Sequence, residues 1–294
     1  MSGAGALLPE RHPQGNFFLC DILGALPKDD LASMEHPLFS LATRADRRVL
    51  SYARGDTRIT VTPSVRGRAT IFDKDILIYG VSQLMAAINA GRATSRTLYL
   101  RAHDLLVATN RETSGDGYRR LCEAFERLAG TRITTNITAG GIETTTGFGL
   151  IESWRIVRRA RGGRMISVAV TLSDWLYRAV LARAVLTLSR DYFRLRKPLE
   201  RRVYELARKH CGRQRDWRVS LATLHEKSGS ASPRRVFRKM IREMIAGDHL
   251  PEYRLELGAD DIVAVTRRRA PAAAGALAPL PAVTLEEARA LAPG

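Results

Sequence analysis

The sequence predicts an α+β fold of two tandem modules, set between an N-terminal arm and a flexible C-terminal tail, and three observations carry that reading. The first is the run SASPRRVFRKMIREMI at residues 230–245. Its apolar residues Val236, Phe237, Met240, Ile241, Met244 and Ile245 recur at helical spacing, while Arg235, Arg238, Lys239 and Arg242 collect on the other side. The second is what flanks it: SLATLHEKSG (220–229) precedes it by a short turn, and YRLELGADDIVAVTRRR (253–269) follows as a hairpin turning at Gly258, Asp260 and Asp261. The third is an earlier helix, helix, hairpin order over residues 102–172, although the letters of the two halves do not match. Helix, turn, basic helix and hairpin describe a winged helix for the second of two tandem modules, and the first shows a similar order of elements. Their bounds are 33–190 and 191–269, after an arm at 1–32 and before a Pro/Ala-rich tail at 270–294.

Taken in order, the arm mixes Gly, Pro and small residues around one apolar patch at 16–22, and folding begins near SMEHPLFSL (33–41). RITVTPSV (58–65) alternates as a strand does. DKDILIYGVSQLMAAINAG (73–91) has acids at its start, apolar residues at helical spacing and Gly91 as its stop. Further helices are expected over 102–109 and 115–130, the latter turning Leu121, Phe125 and Leu128 inward. TRITTNI (131–137) and FGLIESWRIVRR (148–159) then read as extended runs separated by a turn rich in Gly and Thr, with RMISVAVTL (164–172) as another strand. A helix covers 173–184, and Pro198 starts the next one. There Leu199, Val203, Leu206 and Ala207 form the core stripe, leaving Arg201, Arg202, Arg208 and Lys209 for the surface.

The chain of 294 residues is long enough for two modest cores, and 45% of it is hydrophobic. Its formal net charge of +17 favours a polyanionic partner, through phosphate contacts and release of counterions. Arg far outnumbers Lys, and its fork suits phosphate and guanine edges. The basic helix is where this charge is most pointed, because Glu243 is the single acid beside five bases from Arg234 to Arg242. Ser232 is expected to cap that helix, Pro233 to occupy its first position and Gly247 to end it.

These features select residues for contact with double-stranded DNA. Arg235, Arg238, Lys239 and Arg242 form the face for the major groove, with Ser232 and Arg234 near its N-terminus for phosphate or base edges. Arg267, Arg268 and Arg269 end the last strand, where two readings stand together: tracking a minor groove or backbone, or a basic strand end tied to nothing. Arg119 and Arg120 lie early on the equivalent helix of the first module, beside Ser114 and Gly115, where free N–H groups suit a phosphate. The acids on that helix suit a paired, exposed surface equally, and the first module is open to the alternative of a homodimer contact through a hairpin edge.

Other function classes find little support. Cys20, Cys122 and Cys211 are odd in number and far apart, so they point to reduced thiols rather than disulfides, and His210 beside Cys211 lacks partners at metal-ligand spacing. The six histidines never form HxH, GGIETTTGFG lacks the lysine of a phosphate loop, and no metal or cofactor is expected. His210, Arg213 and Tyr253 could be set out as a recombinase site, but HxxR arises easily by chance in so Arg-rich a chain. No enzyme activity is expected. With no apolar run of membrane length and no signal peptide, a cytoplasmic protein is expected.

Beyond these local patterns, a series of strings in order (FFLCDI, SMEHPLFSL, DKDILIYGVSQLMAA, LLVATNR, GDGYRRL, GTRITTNI, LTLSRDYFRLRKPLERRVYELARKHCGRQ and TRR) resembles the plasmid replication initiators of the RepA type, particularly those of alphaproteobacterial plasmids. The resemblance runs over residues 17–269, and its specificity lies in the number and order of the strings. It implies two winged-helix domains that bind repeated sites at a plasmid origin, open the duplex with host help and recruit host helicase and initiation proteins. It also implies repression of the initiator's own gene by a dimer. The alternative is a winged-helix transcriptional repressor without initiator activity, which would need the same surface.

Overall fold

The computed structural model describes residues 7–9, 11, 27–54, 57–139, 142–158, 165–212 and 214–268, so the expected C-terminal tail and most of the arm lie outside the described residues. Apolar side chains gather into two cores. One draws on residues from Leu38 to Val180, the other on residues from Leu188 to Val265 together with Met34 and Ile78.

Folding starts earlier than the expected arm boundary. β1 (Lys28–Asp30) pairs antiparallel with β9 (Val185–Thr187), and α1 (Leu31–Glu35) follows β1 directly. After β2 (Leu50–Arg54) and β3 (Thr57–Thr62) the chain runs through α2 (Lys74–Asn89), β4 (Thr97–Arg101), α3 (Ala102–Ala108) and α4 (Gly115–Gly130). β5 (Arg132–Ala139), β6 (Ile142–Gly149), β7 (Ile151–Arg158), β8 (Met165–Leu172) and α5 (Asp174–Leu181) complete the first core. Past β9 come a 3-10 turn (Arg190–Arg194), α6 (Pro198–Cys211), β10 (Asp216–Ser220), α7 (Leu221–Ser228), α8 (Arg234–Gly247) and the hairpin of β11 (Tyr253–Leu257) with β12 (Ile262–Arg267).

Local chemistry sets most of these ends. Ser114, Ser173 and Ser220 accept from the backbone N–H of Gly117, Leu176 and Thr223, filling donors that α4, α5 and α7 would otherwise leave open. α7 stops at Gly229, whose φ of +68° lies in the left-handed region. A Cβ there would stand 2.5 Å from Pro37 Cβ, so glycine serves both the turn and the close packing of the two halves.

The two halves trace the same path. α2, β4, α3, α4 and the β7–β8 hairpin form a helix, strand, helix, helix, hairpin unit whose sheet runs β4-β8-β7; α6, β10, α7, α8 and β11–β12 repeat it with β10-β12-β11. The expected pairing of 131–137 with 148–159 is corrected here: β5 pairs with β6, and the extended run is broken at Leu150, so that β7 belongs to the other sheet. The stretch rich in Gly and Thr is itself a strand, because Thr144, Thr145 and Thr146 are β-branched and suit pleated backbone better than a loop.

A second correction concerns α6. Arg201 and Arg202, expected on the surface, are each 3% exposed. Arg201 Nη1 donates to Asp75 Oδ1 at 2.6 Å, its other nitrogens donate to the carbonyls of Leu195 and Phe193, and its plane lies over the rings of Phe72 and Tyr192. Arg202 donates to the carbonyls of Ser33, Met34 and Lys227 and to Glu205 Oε2. Lys74, fully buried, places Nζ 2.6 Å from Asp29 Oδ2 and 3.0 Å from Glu205 Oε2. Burial works against its ammonium, but Asp29 and Glu205 hold its pKa above the ordinary lysine value. Charges of the first half are thus neutralised by charges of the second.

Glu35 extends this seam. Contacts from His210, Lys209 and Lys227 hold its carboxyl well below the usual range, against the effect of burial. Next to it, burial pushes His36 down to about 4.

Removing one buried partner leaves the other charge unpaired, so Lys74→Met is expected to cost about 3–5 kcal/mol in urea unfolding. Acid should loosen the fold in two stages. An unfolded histidine takes its proton near 6.5 while folded His36 resists to about 4, so stability falls as pH drops through that window. The contribution of Glu35 is complete above about 4.5 and is lost below it. Melting curves should show His36→Gln removing the upper stage and keeping the lower.

Candidate nucleic-acid interface

α8 is built on a single buried stripe of Phe237, Ile241 and Met244, spaced to return to one side of the helix. Val236, expected in that stripe, is 44% exposed, since one residue before Phe237 it points about 100° away from the core. The caps also differ from expectation. Pro233, with extended backbone, is the N-cap and Arg234 the first helical residue, while Ser232 gives α8 no side-chain cap and instead offers its carbonyl to His225 Nε2 at 2.9 Å. The helix continues through Gly247 and ends at Asp248 in the left-handed region with φ +40°, a conformation Asp tolerates.

The basic side chains of α8 divide into two sets. Arg238 forms a salt bridge with Asp261 Oδ2, and Arg234 approaches the same oxygen at 3.7 Å, so the start of the helix is pinned to the tip of the β11–β12 hairpin. Lys239 stands 3.9 Å from Glu243 and is 79% exposed. Arg235 and Arg242 are exposed, and among the described residues neither side chain has an ion pair or hydrogen bond. They lie seven residues apart, about 10 Å along the helix axis and on one face. These two are the unneutralised part of the surface.

At the hairpin's end Arg267 is exposed, whereas Arg268 is anchored: it donates to Asp248 Oδ1 at 2.6 Å and to the carbonyls of Asp248 and Tyr253. Arg269 lies outside the described residues. On α4, Arg119 is bound to Asp116 and Glu123, and Arg120 to Asp116 Oδ2 at 2.5 Å, so both are exposed yet paired. The structure therefore brings the predicted α8 residues together with the hairpin and leaves the α4 pair on the other half. Asp261, which sequence reasoning treated only as turn chemistry, is the organising acid, and its neighbourhood to two arginines depends on folding the hairpin back over α8.

The remaining reactive side chains are built into the core. His210 stacks on Trp217 with centroids 4.6 Å apart, Cys211 and Tyr253 are buried, and burial pushes the Tyr253 phenol up. No helix among the described residues is long and apolar enough to cross a membrane.

Residues 28–255 match the family model described as Replication initiator protein A, and the chain belongs to that family. Among its relatives is a protein of Wigglesworthia glossinidia brevipalpis named "Putative replication protein", 37% identical over 245 residues, which cover 82% of this chain and 89% of the relative. Two solved structures of domains 2 and 3 of RctB share the fold. One aligns with a TM-score of 0.58 over 81% of this chain and 96% of its own, the other with 0.54 over 79% and 95%, both at 14% identity.

Anchored and free arginines should separate in stability measurements. Arg268→Ala is expected to cost about 1–2 kcal/mol in urea unfolding through its lost hydrogen bonds, while Arg242→Ala should fall within about 0.5 kcal/mol of the parent.

Proposed function

We propose that the chain is a RepA-type plasmid initiator of the alphaproteobacterial group, built of two winged helices. In this reading it binds repeated double-stranded DNA sites at an origin and recruits host helicase and initiation proteins in the cytoplasm. The observation that carries the reading is the exposed couple Arg235 and Arg242 on α8, without ion pairs among the described residues, on a helix that follows α7 by a short turn and is braced by a hairpin. The order helix, strand, helix, helix and hairpin with the sheet β10-β12-β11 supports the winged-helix reading, in which the second helix after the turn would enter a major groove. A net charge of +17 supplies the sequence-independent attraction. Ser232 and Arg234 stand at the N-terminal end of that helix, and Arg267 is exposed at the end of β12.

Membership of the replication initiator family favours initiation over repression alone. Repression of its own gene by a homodimer is part of the same proposal, with β2 and β6, the outer strands of the sheet β2-β3-β5-β6, as edges open to a twin. A non-enzymatic role is supported by Tyr253, which is 1% exposed and so poorly placed as a nucleophile.

Arg235→Ala with Arg242→Ala should weaken binding to origin duplex and lower the slope of log affinity against log salt by about 2 if both touch phosphate. A loss of about 1–3 kcal/mol confined to the specific site would mark base reading. A plasmid carrying the gene and its flanking DNA should replicate autonomously in a suitable host and fail with the double variant. Repression of the promoter without replication by the parent would select the repressor.

A further inference from the structure

Two adjoining cavities, of about 430 and 410 Å³, lie between the halves. Arg48, Arg68 and the segment Gly229, Ser230, Ala231 line both. That segment is the turn joining α7 to α8. The first cavity adds Lys197 and Glu200 at the start of α6, with Lys197 Nζ 3.7 Å from Glu243 Oε2, and apolar walls from Leu41, Met240 and Met244.

Arg68 is the unusual member. It is 4% exposed; Nη2 donates to Asp46 Oδ2 at 2.9 Å, but Nε and Nη1, both buried, have no hydrogen-bond partner among the described residues. Arg48 uses the same carboxylate, with Nε 2.9 Å from Asp46 Oδ1 and Nη2 3.1 Å from Oδ2. Two guanidinium groups therefore share one carboxylate, leaving one positive charge in excess beside unused buried donors. Such donors cost free energy unless an acceptor meets them. Burial, with Arg48 adding to it against Asp46, pushes the Arg68 pKa down, as expected where positive charge is under-compensated.

We propose that these cavities hold a phosphate group at Arg68, between the two halves and against the turn that leads into α8. A phosphate offers oxygens in several directions. This suits donors arriving from Arg68, Arg48 and Lys197 on three separate segments better than the two coplanar oxygens of a carboxylate do. The group is either the phosphate of a free small molecule or a phosphodiester of the DNA backbone. The second source rests on the DNA-binding reading above.

The test uses the full chain, with Arg68→Lys, which keeps a charge for Asp46 but loses the guanidinium donors, and Arg48→Ala, whose side chain is 66% exposed. Thermal unfolding is followed in inorganic phosphate or pyrophosphate against chloride at matched ionic strength, and DNA affinity is followed against salt. For a free phosphate, the parent is stabilised by phosphate or pyrophosphate, and each variant needs roughly tenfold more for the same effect, the loss of one charged hydrogen bond. For a backbone phosphate, both variants lose affinity for every duplex about equally, and the salt slope falls by about 1. The proposal is overturned if phosphate stabilises parent and variants alike or not at all while DNA affinity and salt slope are unchanged in both variants. Loss of DNA binding in the Arg235→Ala and Arg242→Ala protein under those conditions would leave the DNA reading standing without this site.

Discussion

The relation of the two halves depends on an exchange of buried charge between α2 and α6. Lys74 and Asp75 are neighbours at the start of α2, and both are taken out of water. Lys74 finds Glu205 and Asp75 finds Arg201, one turn apart on α6, while Asp29 on β1 closes the set from a third element. Desolvating ions is costly, and the Coulomb attraction repays it only when geometry and hydrogen bonds are complete. Here Tyr192 donates to Glu205 and backbone carbonyls absorb the remaining donors of Arg201 and Arg202, so the contact is specific in a way that apolar packing alone is not.

The same device recurs at the edge of the second half. Asp261 in the hairpin tip holds Arg238 and Arg234, and Asp248 at the end of α8 holds Arg268 and Arg254, so each end of α8 is fixed to the β-hairpin by an acid. His249 Nε2 lies 3.1 Å from Glu200 Oε1 at the start of α6. The arginines not consumed by this bracing are the ones left to meet a partner. A high count of arginines is therefore a poor measure of a binding surface; what matters is which of them the fold has already satisfied.

Much of the fold was legible because short-range signals agree with the outcome. The acidic start of α2, the inward stripe of α4, Pro198 at the start of α6 and the alternation of β11 and β12 are local chemistry, and tertiary contacts did not overrule them, whereas Ser232, expected to cap α8, does not. What escaped was non-local. Nothing near Arg201 or Arg202 in the chain announces burial: Asp75 lies more than a hundred residues from Arg201, and Arg202 is held mainly by backbone carbonyls, with Glu205 three residues on as a side-chain partner. β4 is five residues long and only partly alternating, too short for a periodic signal, and the break at Leu150 hides within one extended run. At the candidate site the helical face was readable from spacing, but its division into free and anchored side chains was not, because Asp261 reaches Arg234 and Arg238 only through the folded hairpin.

The opposite signs of Lys74 and Asp75 also set a geometric condition. Rotating or sliding one half by a single helical position would bring like charges together in a place without water, so the docking has one angle and one offset. Surfaces on the two halves are thereby held at a set separation. The buried network serves as a ruler: any pair of contacts that both halves make at once on a single partner must be spaced to its length.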